Sequence, residues 1–260
     1  MTVPEERVIE LRGVRKSFNG QEVLRGIDLE VIARETLVII GRSGSGKSVS
    51  IRQMVGLDTP DAGTVRVFGQ DLAKLNTRDL LRLRLRIGYL FQSGALLNWM
   101  TVGENVELPL LEHRRRMKEK ERRDKVTEKL ALVEMQDAAE KYPAEISGGM
   151  KKRAALARAV ILEPEIVFYD EPTSGLDPVI ANTINDLIVE TGRKLGTTQV
   201  VVTHDMESAY RIGDRIAMLY EGKIIAVGTP DEIRSSDDPI VQQFIAGETT
   251  GPITGSARKK

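Results

Sequence analysis

The sequence predicts an α/β fold that combines a buried parallel sheet with an antiparallel β lobe. Short apolar, β-branched runs are typical of strands covered on both faces, and they occur at residues 36–40, 166–169 and 200–203. Helical stretches separate these runs, as expected for a parallel sheet. Alternation of apolar and polar residues predicts half-buried strands of the antiparallel lobe at residues 8–11, 27–31 and 63–69.

The remaining segments complete this architecture. Residues 87–91 read IGYLF and predict a further strand that ends at Gln92. A helical pattern dominates residues 101–161. Two β-rich runs within residues 216–227 flank Glu221-Gly222, which predicts a β-hairpin.

Composition excludes several classes of protein. The 260 residues contain 38 Lys and Arg and 38 Asp and Glu, and this zero net charge argues against a whole-surface nucleic-acid binder. Cysteine is absent, which fits a reducing compartment. Residues 1–7 are acidic overall and lack an apolar core, so they do not resemble a secretory signal. The apolar runs of the chain are far shorter than the ~20 residues of a membrane-spanning helix. The sequence alone therefore predicts a soluble chain that would need a partner to work in a membrane.

The strongest single motif lies at residues 41–48, which read GRSGSGKS and fit the phosphate-binding P-loop pattern G-x-x-x-x-G-K-[ST]. A predicted strand precedes the motif and a predicted helix start, residues 49–55, follows it. A chance glycine turn is the alternative, but this strand–loop–helix context favours nucleotide binding.

Each part of the P-loop has a predicted role. Its glycines let the main chain wrap around phosphates, and the following helix adds its positive N-terminal end. Lys47 is expected to reach the β- and γ-phosphates, and the hydroxyl of Ser48 is expected to bind Mg²⁺. The predicted nucleotide contacts in this loop are Gly41, Ser43, Gly44, Gly46, Lys47 and Ser48.

Two acidic residues follow the buried strand at 166–169. Asp170 suits Mg²⁺, directly or through water, and Glu171 suits a general base that polarises the attacking water. The alternative is that one acid only caps the next helix. The P-loop elsewhere in the chain favours the catalytic reading.

A third motif precedes a strong helix-forming stretch. Ser147, Gly148 and Gly149 could serve only as a helix cap, but a serine and two glycines at a helix N-terminus also form an anion site. One ATP does not need two phosphate cradles from one chain, whereas two chains facing each other would use both.

These motifs occur in an order that resembles the nucleotide-binding domain of ABC transporters. Walker A, Q-loop, signature, Walker B, D-loop and H-loop match residues 41–48, Gln92, 147–149, 170–171, 174–177 and His204. The resemblance implies one such domain over residues 7–246. Its core lobe would comprise about 7–92 and 163–246, its inserted helical lobe about 93–162, and residues 247–260 would form a flexible tail.

The resemblance also implies how the residues work. Two ATP molecules would lie in a head-to-tail homodimer, with Ser147, Gly148 and Gly149 of one subunit closing on the γ-phosphate held by the other. Asp177 would link the two sites, His204 would hold the γ-phosphate and the general base in register, and Gln92 would sense Mg²⁺ and the attacking water. Phe18 would stack on adenine. Taken alone, such a His, Gln or Phe is more often structural.

Details of the signature narrow the family. The stretch after Ile146 reads SGGMKKR, and residues 91–97 and 100–106 read FQSGALL and MTVGENV. These stretches are similar to ATPases of the Mla (maintenance of lipid asymmetry) system and of other MCE-associated lipid importers. The implied function is to energise movement of phospholipids between inner and outer membranes, which maintains outer-membrane lipid asymmetry. The implied partners are a multipass permease, an MCE-domain substrate-binding protein and a STAS-domain regulator, at the cytoplasmic face of an inner membrane.

One apolar segment has two interpretations. Residues 95–100 read ALLNWM, contain the single Trp and follow Gln92 closely. The segment could line a groove for a permease helix, or it could be ordinary core.

Three other functions remain as alternatives. An ABC importer of another solute, such as an amino acid, usually carries Gln at the position of Met150. Another alternative is a nucleotide-gated regulatory switch or a DNA-associated ABC ATPase. DNA-associated members usually have a long coiled coil, for which the chain has no room, and a GTPase switch would need an Asn-Lys-x-Asp motif, which the sequence lacks. A nucleotide-binding module without activity would not be expected to retain both Glu171 and His204.

Overall fold

A computed structural model describes residues 6–254 of the chain. Two terminal ranges lie outside the described residues. Residues 1–5 are part of the N-terminal segment that does not resemble a secretory signal, and residues 255–260 end the predicted tail. The chain divides into two compact units: unit 1 contains described residues 6–74 and 202–254, and unit 2 contains residues 75–201.

Strands dominate residues 7–71 and helices dominate residues 102–160 of the described chain. The strands are β1 (Arg7–Phe18), β2 (Gln21–Ile32), β3 (Thr36–Ile40), β4 (Ala62–Val67), β5 (Gln70–Asp71), β6 (Ile87–Leu90), β7 (Ile166–Asp170), β8 (Thr198–Thr203), β9 (Arg215–Tyr220) and β10 (Lys223–Gly228). The helices are α1 (Lys47–Met54), α2 (Thr77–Arg84), α3 (Val102–His113), α4 (Glu119–Leu132), α5 (Gly148–Val160), α6 (Pro178–Leu195), α7 (Met206–Ile212), α8 (Pro230–Arg234) and α9 (Pro239–Ala246).

Unit 1 contains the antiparallel lobe predicted from sequence. Its four strands lie in the order β2-β1-β4-β5, and each neighbouring pair is antiparallel. Alternate residues of β1 and β2, such as Leu11 and Leu29, point into the core. The alternating pattern of the sequence therefore predicted this lobe correctly.

A mixed arrangement of strands completes the sheets of unit 1. The fully buried β3 pairs in parallel with β9, which pairs antiparallel with β10 in the predicted hairpin. Glu35 lies beside this layer, where it accepts hydrogen bonds from Ile32 N and from the Arg215 guanidinium. Burial raises the pKa of the Glu35 carboxyl, and these two hydrogen bonds oppose the rise.

The last described residues of unit 1 fold back onto α9. The Gln243 side chain is buried, donates to Glu248 O and Thr254 Oγ1, and accepts from Ile253 N at 2.7 Å. The carbonyl of Ile253 in turn accepts a hydrogen bond from the Arg42 guanidinium. This amide therefore anchors residues 248–254.

Unit 2 is mainly helical around a small parallel layer. Strands lie in the order β8-β7-β6, and β6 pairs in parallel with β7, with Leu90 opposite Tyr169. The division between the units falls within β8. Side-chain caps begin most of the helices of this unit: Asn76 caps α2, Thr101 caps α3 in a capping box, Ser147 caps α5 and Asp177 caps α6. The predicted helical stretch at 101–161 corresponds to α3, α4 and α5.

Two hairpin turns in unit 1 provide a matched test of a close main-chain approach. Gly20 (φ 79°) and Gly222 (φ 75°) each follow a residue with positive φ, but only a Cβ on Gly222 would lie 2.5 Å from the Val23 carbonyl oxygen. We expect Gly20→Ala to cost about 1 kcal/mol of unfolding free energy through left-handed strain alone. Gly222→Ala should cost at least ~1 kcal/mol more, since the β2 main chain must also move.

Urea denaturation of the parent and of both variants measures this difference. Equal losses in the two variants would show that the contact between the β9–β10 turn and β2 does not constrain the fold.

Candidate functional site

The P-loop of unit 1 has main-chain approaches that only glycine permits. A Cβ on Gly41 would lie 2.3 Å from the Leu219 carbonyl oxygen, and a Cβ on Gly46 would lie 2.8 Å from the Leu24 side chain. Both residues have positive φ, at 154° and 105°. The loop between β3 and α1 therefore follows a path that the predicted glycines make possible.

The N-terminus of α1 is prepared for an anion. Among the described residues, no side chain caps this helix, whose N-cap is Gly46. The buried ammonium of Lys47 donates to Gly41 O at 2.8 Å and to Arg42 O at 3.1 Å, so it lies within the loop itself. An uncapped helix start and an ammonium at one loop fit the phosphates of a nucleotide. Ser43, Gly44 and Ser48 are exposed on the same loop and helix start.

Unit 1 also carries the predicted adenine and γ-phosphate residues. Phe18 ends β1 with 39% of its surface exposed, which excludes the core packing that is usual for Phe, and Lys16 Nζ lies 5.4 Å from its ring centroid. His204 directly follows β8 and is exposed. The next residue, Asp205, caps α7 through Glu207 N and fixes the turn that presents His204.

In unit 2, the predicted catalytic residues follow neighbouring strands. Asp170 ends β7 and accepts a hydrogen bond from the Tyr89 hydroxyl at 3.4 Å. Glu171 comes next with φ 48°, a conformation that is uncommon for a residue with a side chain. Gln92 follows β6 and has an exposed side chain. Because β6 and β7 are parallel and in register, Gln92 and Glu171 follow adjacent strand ends.

The signature residues form the start of α5. Ser147 Oγ accepts a hydrogen bond from Met150 N at 3.3 Å, and Ser147 and Gly148 are both exposed. Gly149 is buried, and a Cβ there would lie 2.5 Å from Ile180 Cγ2 of α6. Asp177 is exposed and caps α6 through the amides of Val179 and Ile180. Ser147 therefore does cap the helix, as one of the two interpretations predicted. Its exposed position is compatible with the anion contact of the other interpretation, which stays a prediction.

Sequence reasoning missed two basic residues of α5 that hold the chain after β6. Lys152 donates to Gln92 O and, at 3.3 Å, to Glu171 O. Arg158 donates to Gly94 O at 2.6 Å and to Ala95 O at 2.7 Å. One sequence signal could have indicated that Lys152 is buried. In a helical projection of α5, Lys152 lies on the same face as the buried Ala155 and Leu156.

The electrostatics of Lys152 reflect this position. Burial lowers the pKa of its ammonium, and the carboxylates of Asp170 and Glu171 act in the opposite direction. Burial also lowers the pKa of the Arg158 guanidinium. Both cations therefore lie in poorly solvated surroundings beside main-chain carbonyl groups.

The predicted Mg²⁺ ligands fit that ion chemically. In unit 1 Ser48 offers a hydroxyl oxygen, and in unit 2 Gln92 offers an amide oxygen and the half-buried Asp170 a carboxylate. Hard oxygen donors, few of them charged, are what Mg²⁺ takes from proteins when substrate phosphates complete its shell.

A long apolar groove lies elsewhere in unit 2. Its volume is about 960 Å³. It lies between α2, β6, α3 and the C-terminal half of α5, and its lining includes Leu81, Leu85, Tyr89, Phe91, Ala95, Leu108, Pro109, Arg158 and Leu162. Of residues 95–100, for which lining a groove and ordinary core packing were both left open, only Ala95 lines this groove. Between residues 6 and 254, no helix has the length and apolar character needed to cross a bilayer.

Comparison with known proteins identifies the family. The family model described as ABC transporter matches residues 24–174. The Intermembrane phospholipid transport system ATP-binding protein MlaF of Haemophilus influenzae is 36% identical over 248 residues, which span 95% of this chain and 94% of that protein. The chloroplastic protein TRIGALACTOSYLDIACYLGLYCEROL 3 of Arabidopsis thaliana is 41% identical over 95% of this chain and 75% of its own length.

Other relatives carry different transport names. The Probable ribonucleotide transport ATP-binding protein mkl of Mycobacterium leprae is 39% identical over 99% of this chain and 74% of its own length. The Methionine import ATP-binding protein MetN of Rhizobium johnstonii is 42% identical over 86% of this chain and 61% of its own length.

A solved structure agrees with the fold. The ATP-binding cassette MJ0796, in a dimeric post-hydrolysis state bound to ADP and Pi, is similar with a TM-score of 0.78 and 33% identity over 85% of this chain and 98% of that one. The predicted α/β fold of the ABC nucleotide-binding type is therefore confirmed. This chain belongs to the ABC transporter family, as an ATP-binding and ATP-hydrolysing subunit of a transporter.

Proposed function

We propose that this ATPase energises a membrane complex that moves phospholipids between two membranes. The observation that carries the proposal is the alignment with MlaF, which spans almost the whole of both chains. The SGGMKKR signature supports the same assignment, because importers of small solutes usually have Gln where this chain has Met150.

In unit 1 the proposed roles concern nucleotide binding. Lys47 would exchange its hydrogen bonds to Gly41 O and Arg42 O for phosphate oxygens, without moving far from its buried position. The exposed ring of Phe18 would stack on adenine. His204, held by the α7 turn, would contact the γ-phosphate.

In unit 2 the proposed roles concern hydrolysis. Glu171 is the general base that polarises the attacking water, and Gln92 senses that water. Gln92 and Asp170 are the proposed Mg²⁺ ligands of this unit, as Ser48 is of unit 1, and Mg²⁺ neutralises charge on the phosphates when it is bound. Tyr89 restrains Asp170 by its hydrogen bond, so the carboxylate is oriented by the protein before nucleotide arrives.

The signature residues are proposed to act on the nucleotide of a second copy. Ser147 and Gly148 are exposed at the start of α5, where a helix N-terminus favours an anion. The dimeric state described for MJ0796 supports a homodimer here, in which Asp177 would link the two sites.

The apolar groove of unit 2 is the proposed docking site for the permease. Leu81 is 53% exposed there, although a Leu usually avoids water, and arginines of α2 and α5 surround the apolar lining. This composition fits an amphipathic helix with acidic residues. Trp99 is 75% exposed outside the groove lining, on a turn that the buried Asn105 holds through the carbonyls of Leu97 and Met100. Trp99 therefore becomes a proposed partner contact beside the groove.

Further partners and the location follow from the same proposal. They are an MCE-domain substrate-binding protein and a STAS-domain regulator, with the ATPase bound peripherally at the cytoplasmic face of an inner membrane. A second candidate function, import of an amino acid, is favoured only by the MetN similarity, which covers 61% of that protein.

The role of Lys47 predicts a loss of nucleotide affinity. Lys47→Met removes charged hydrogen bonds to phosphate and should weaken ATP binding about tenfold or more. Arg52→Met, which removes an exposed charge from the same helix, is the matched control. Titration with a fluorescent ATP analogue measures both, and an unchanged affinity in Lys47→Met would refute the P-loop assignment.

The role of Glu171 predicts a separation of binding from turnover. Glu171→Gln should bind ATP like the parent but lose at least ~100-fold in turnover, because the attacking water lacks its base. Gel filtration with MgATP should then show an accumulated dimer. Hydrolysis at the parental rate would contradict the assignment.

The proposed docking of the permease in the groove predicts which proteins the chain binds. Affinity purification from membranes should recover a multipass permease, an MCE-domain protein and phospholipid. Leu81→Glu should abolish this recovery by placing a charge in the apolar contact, whereas Leu57→Glu, at a Leu of unit 1 that is 47% exposed, should not. Recovery of a permease with an amino-acid-binding protein instead would favour the second candidate.

A further inference from the structure

Lys152 is an unusual residue for the buried face of a helix. Its side chain is 6% exposed, and within the described part of the chain its hydrogen bonds go to main-chain carbonyl oxygens, those of Gln92 and Glu171. A buried ammonium is costly unless its donors are used. A lysine retained here with two main-chain acceptors points to a specific task.

The two acceptors are the main-chain carbonyl oxygens of the two residues proposed to act on the attacking water. Gln92 follows β6 and Glu171 follows β7, and these strands pair in parallel with Leu90 opposite Tyr169. The hydrogen bonds of the sheet end there. Lys152 continues the connection from α5, whose first residues carry the signature.

The conformation of Glu171 gives this connection a consequence. A φ of 48° is strained for a glutamate and persists only where neighbouring contacts impose it. The hydrogen bond from Lys152 to its carbonyl is such a contact. Without that hydrogen bond, the main chain that carries the Glu171 side chain would be less restrained.

A second clamp on the same helix holds the chain beyond Gln92. Arg158 donates to Gly94 O and Ala95 O, and Gly94 lies so close to α5 that an added Cβ would be 3.5 Å from Ala155 Cβ. Residues 92–95 are therefore attached to α5 over two helical turns, with Lys152 at the end that carries the proposed water-sensing Gln92.

We propose that Lys152 is a positioning residue for ATP hydrolysis, which fixes the main chain at Gln92 and Glu171 and ties both to the signature helix. This inference rests on the proposed function in one respect, the role of Glu171 as general base.

Steady-state ATP hydrolysis by the full-length chain tests the inference. Lys152→Met keeps the aliphatic stem but removes the donors, and we expect kcat to fall about tenfold or more while KM for MgATP changes by less than about twofold. A displaced base slows the chemical step, whereas the proposed nucleotide contacts of the P-loop are untouched. Lys152→Arg retains donors for both carbonyls and should keep more activity than Lys152→Met.

Two control variants separate positioning from simple loss of a lysine. Lys129→Met removes another buried lysine of unit 2, one that pairs with Glu128 and Glu163. Lys125→Met removes a lysine of α4 that also pairs with Glu163. Both should hydrolyse ATP at the parental rate. Hydrogen–deuterium exchange should quicken at residues 92–95 and 171–174 in Lys152→Met but not in Lys129→Met.

The outcomes distinguish this inference from the function it rests on. A kcat of Lys152→Met within about twofold of the parent, with Glu171→Gln inactive, would overturn the positioning role alone. The role is also overturned if exchange at both segments is unchanged, or if Lys152→Arg is as slow as Lys152→Met. Full activity of Glu171→Gln would instead remove the general-base assignment itself.

Discussion

The parallel pairing of β6 with β7 is the constraint on which the chemistry of unit 2 depends. Because the strands run in the same direction and in register, the chain leaves both at one edge of the layer. The strand pairing alone therefore places Gln92, Asp170 and Glu171 at or just beyond that edge. What the sheet does not determine is the direction of the main chain beyond its last hydrogen bonds, and there side chains from α5 take over.

Two buried lysines illustrate two uses of the same interaction. Lys47 donates to the carbonyls of Gly41 and Arg42, and Lys152 donates to those of Gln92 and Glu171. In each case a chain turning sharply after a strand directs carbonyl oxygens at an ammonium. The Lys47 contacts are within its own loop, where the proposed exchange for phosphate oxygens would leave other segments in place. The Lys152 contacts join separate segments, so breaking them would loosen the structure rather than admit a ligand.

Much of this could be predicted from the sequence because the signals are local. A few consecutive residues are enough to recognise each of three features: the buried strand β3, the glycines of the P-loop and the hairpin at Glu221-Gly222. The order of six motifs then identified the family. The roles of individual residues and the lobe boundaries stay predictions.

Non-local contacts explain what the sequence did not reveal. Lys152 lies 60 positions from Gln92, and no spacing rule connects them. The groove likewise takes its walls from four separate elements, so an apolar segment such as 95–100 could not be assigned to its lining by composition. Asn105 turns that segment away after Ala95 by binding the main chain of residues 97–101.

The groove and the residues proposed for hydrolysis in unit 2 share one stretch of chain. Phe91 and Ala95 line the groove, Gln92 lies between them, and Arg158 both lines the groove and donates to Gly94 O and Ala95 O. A helix entering the groove would therefore press on residues whose main chain is held by α5. Since the same α5 begins with the signature serine, a displacement at the groove and a displacement at Ser147 are displacements of one helix. Coupling between a docked partner and hydrolysis then needs no long pathway, only the stiffness of α5 and of the two cations that attach residues 92–95 to it.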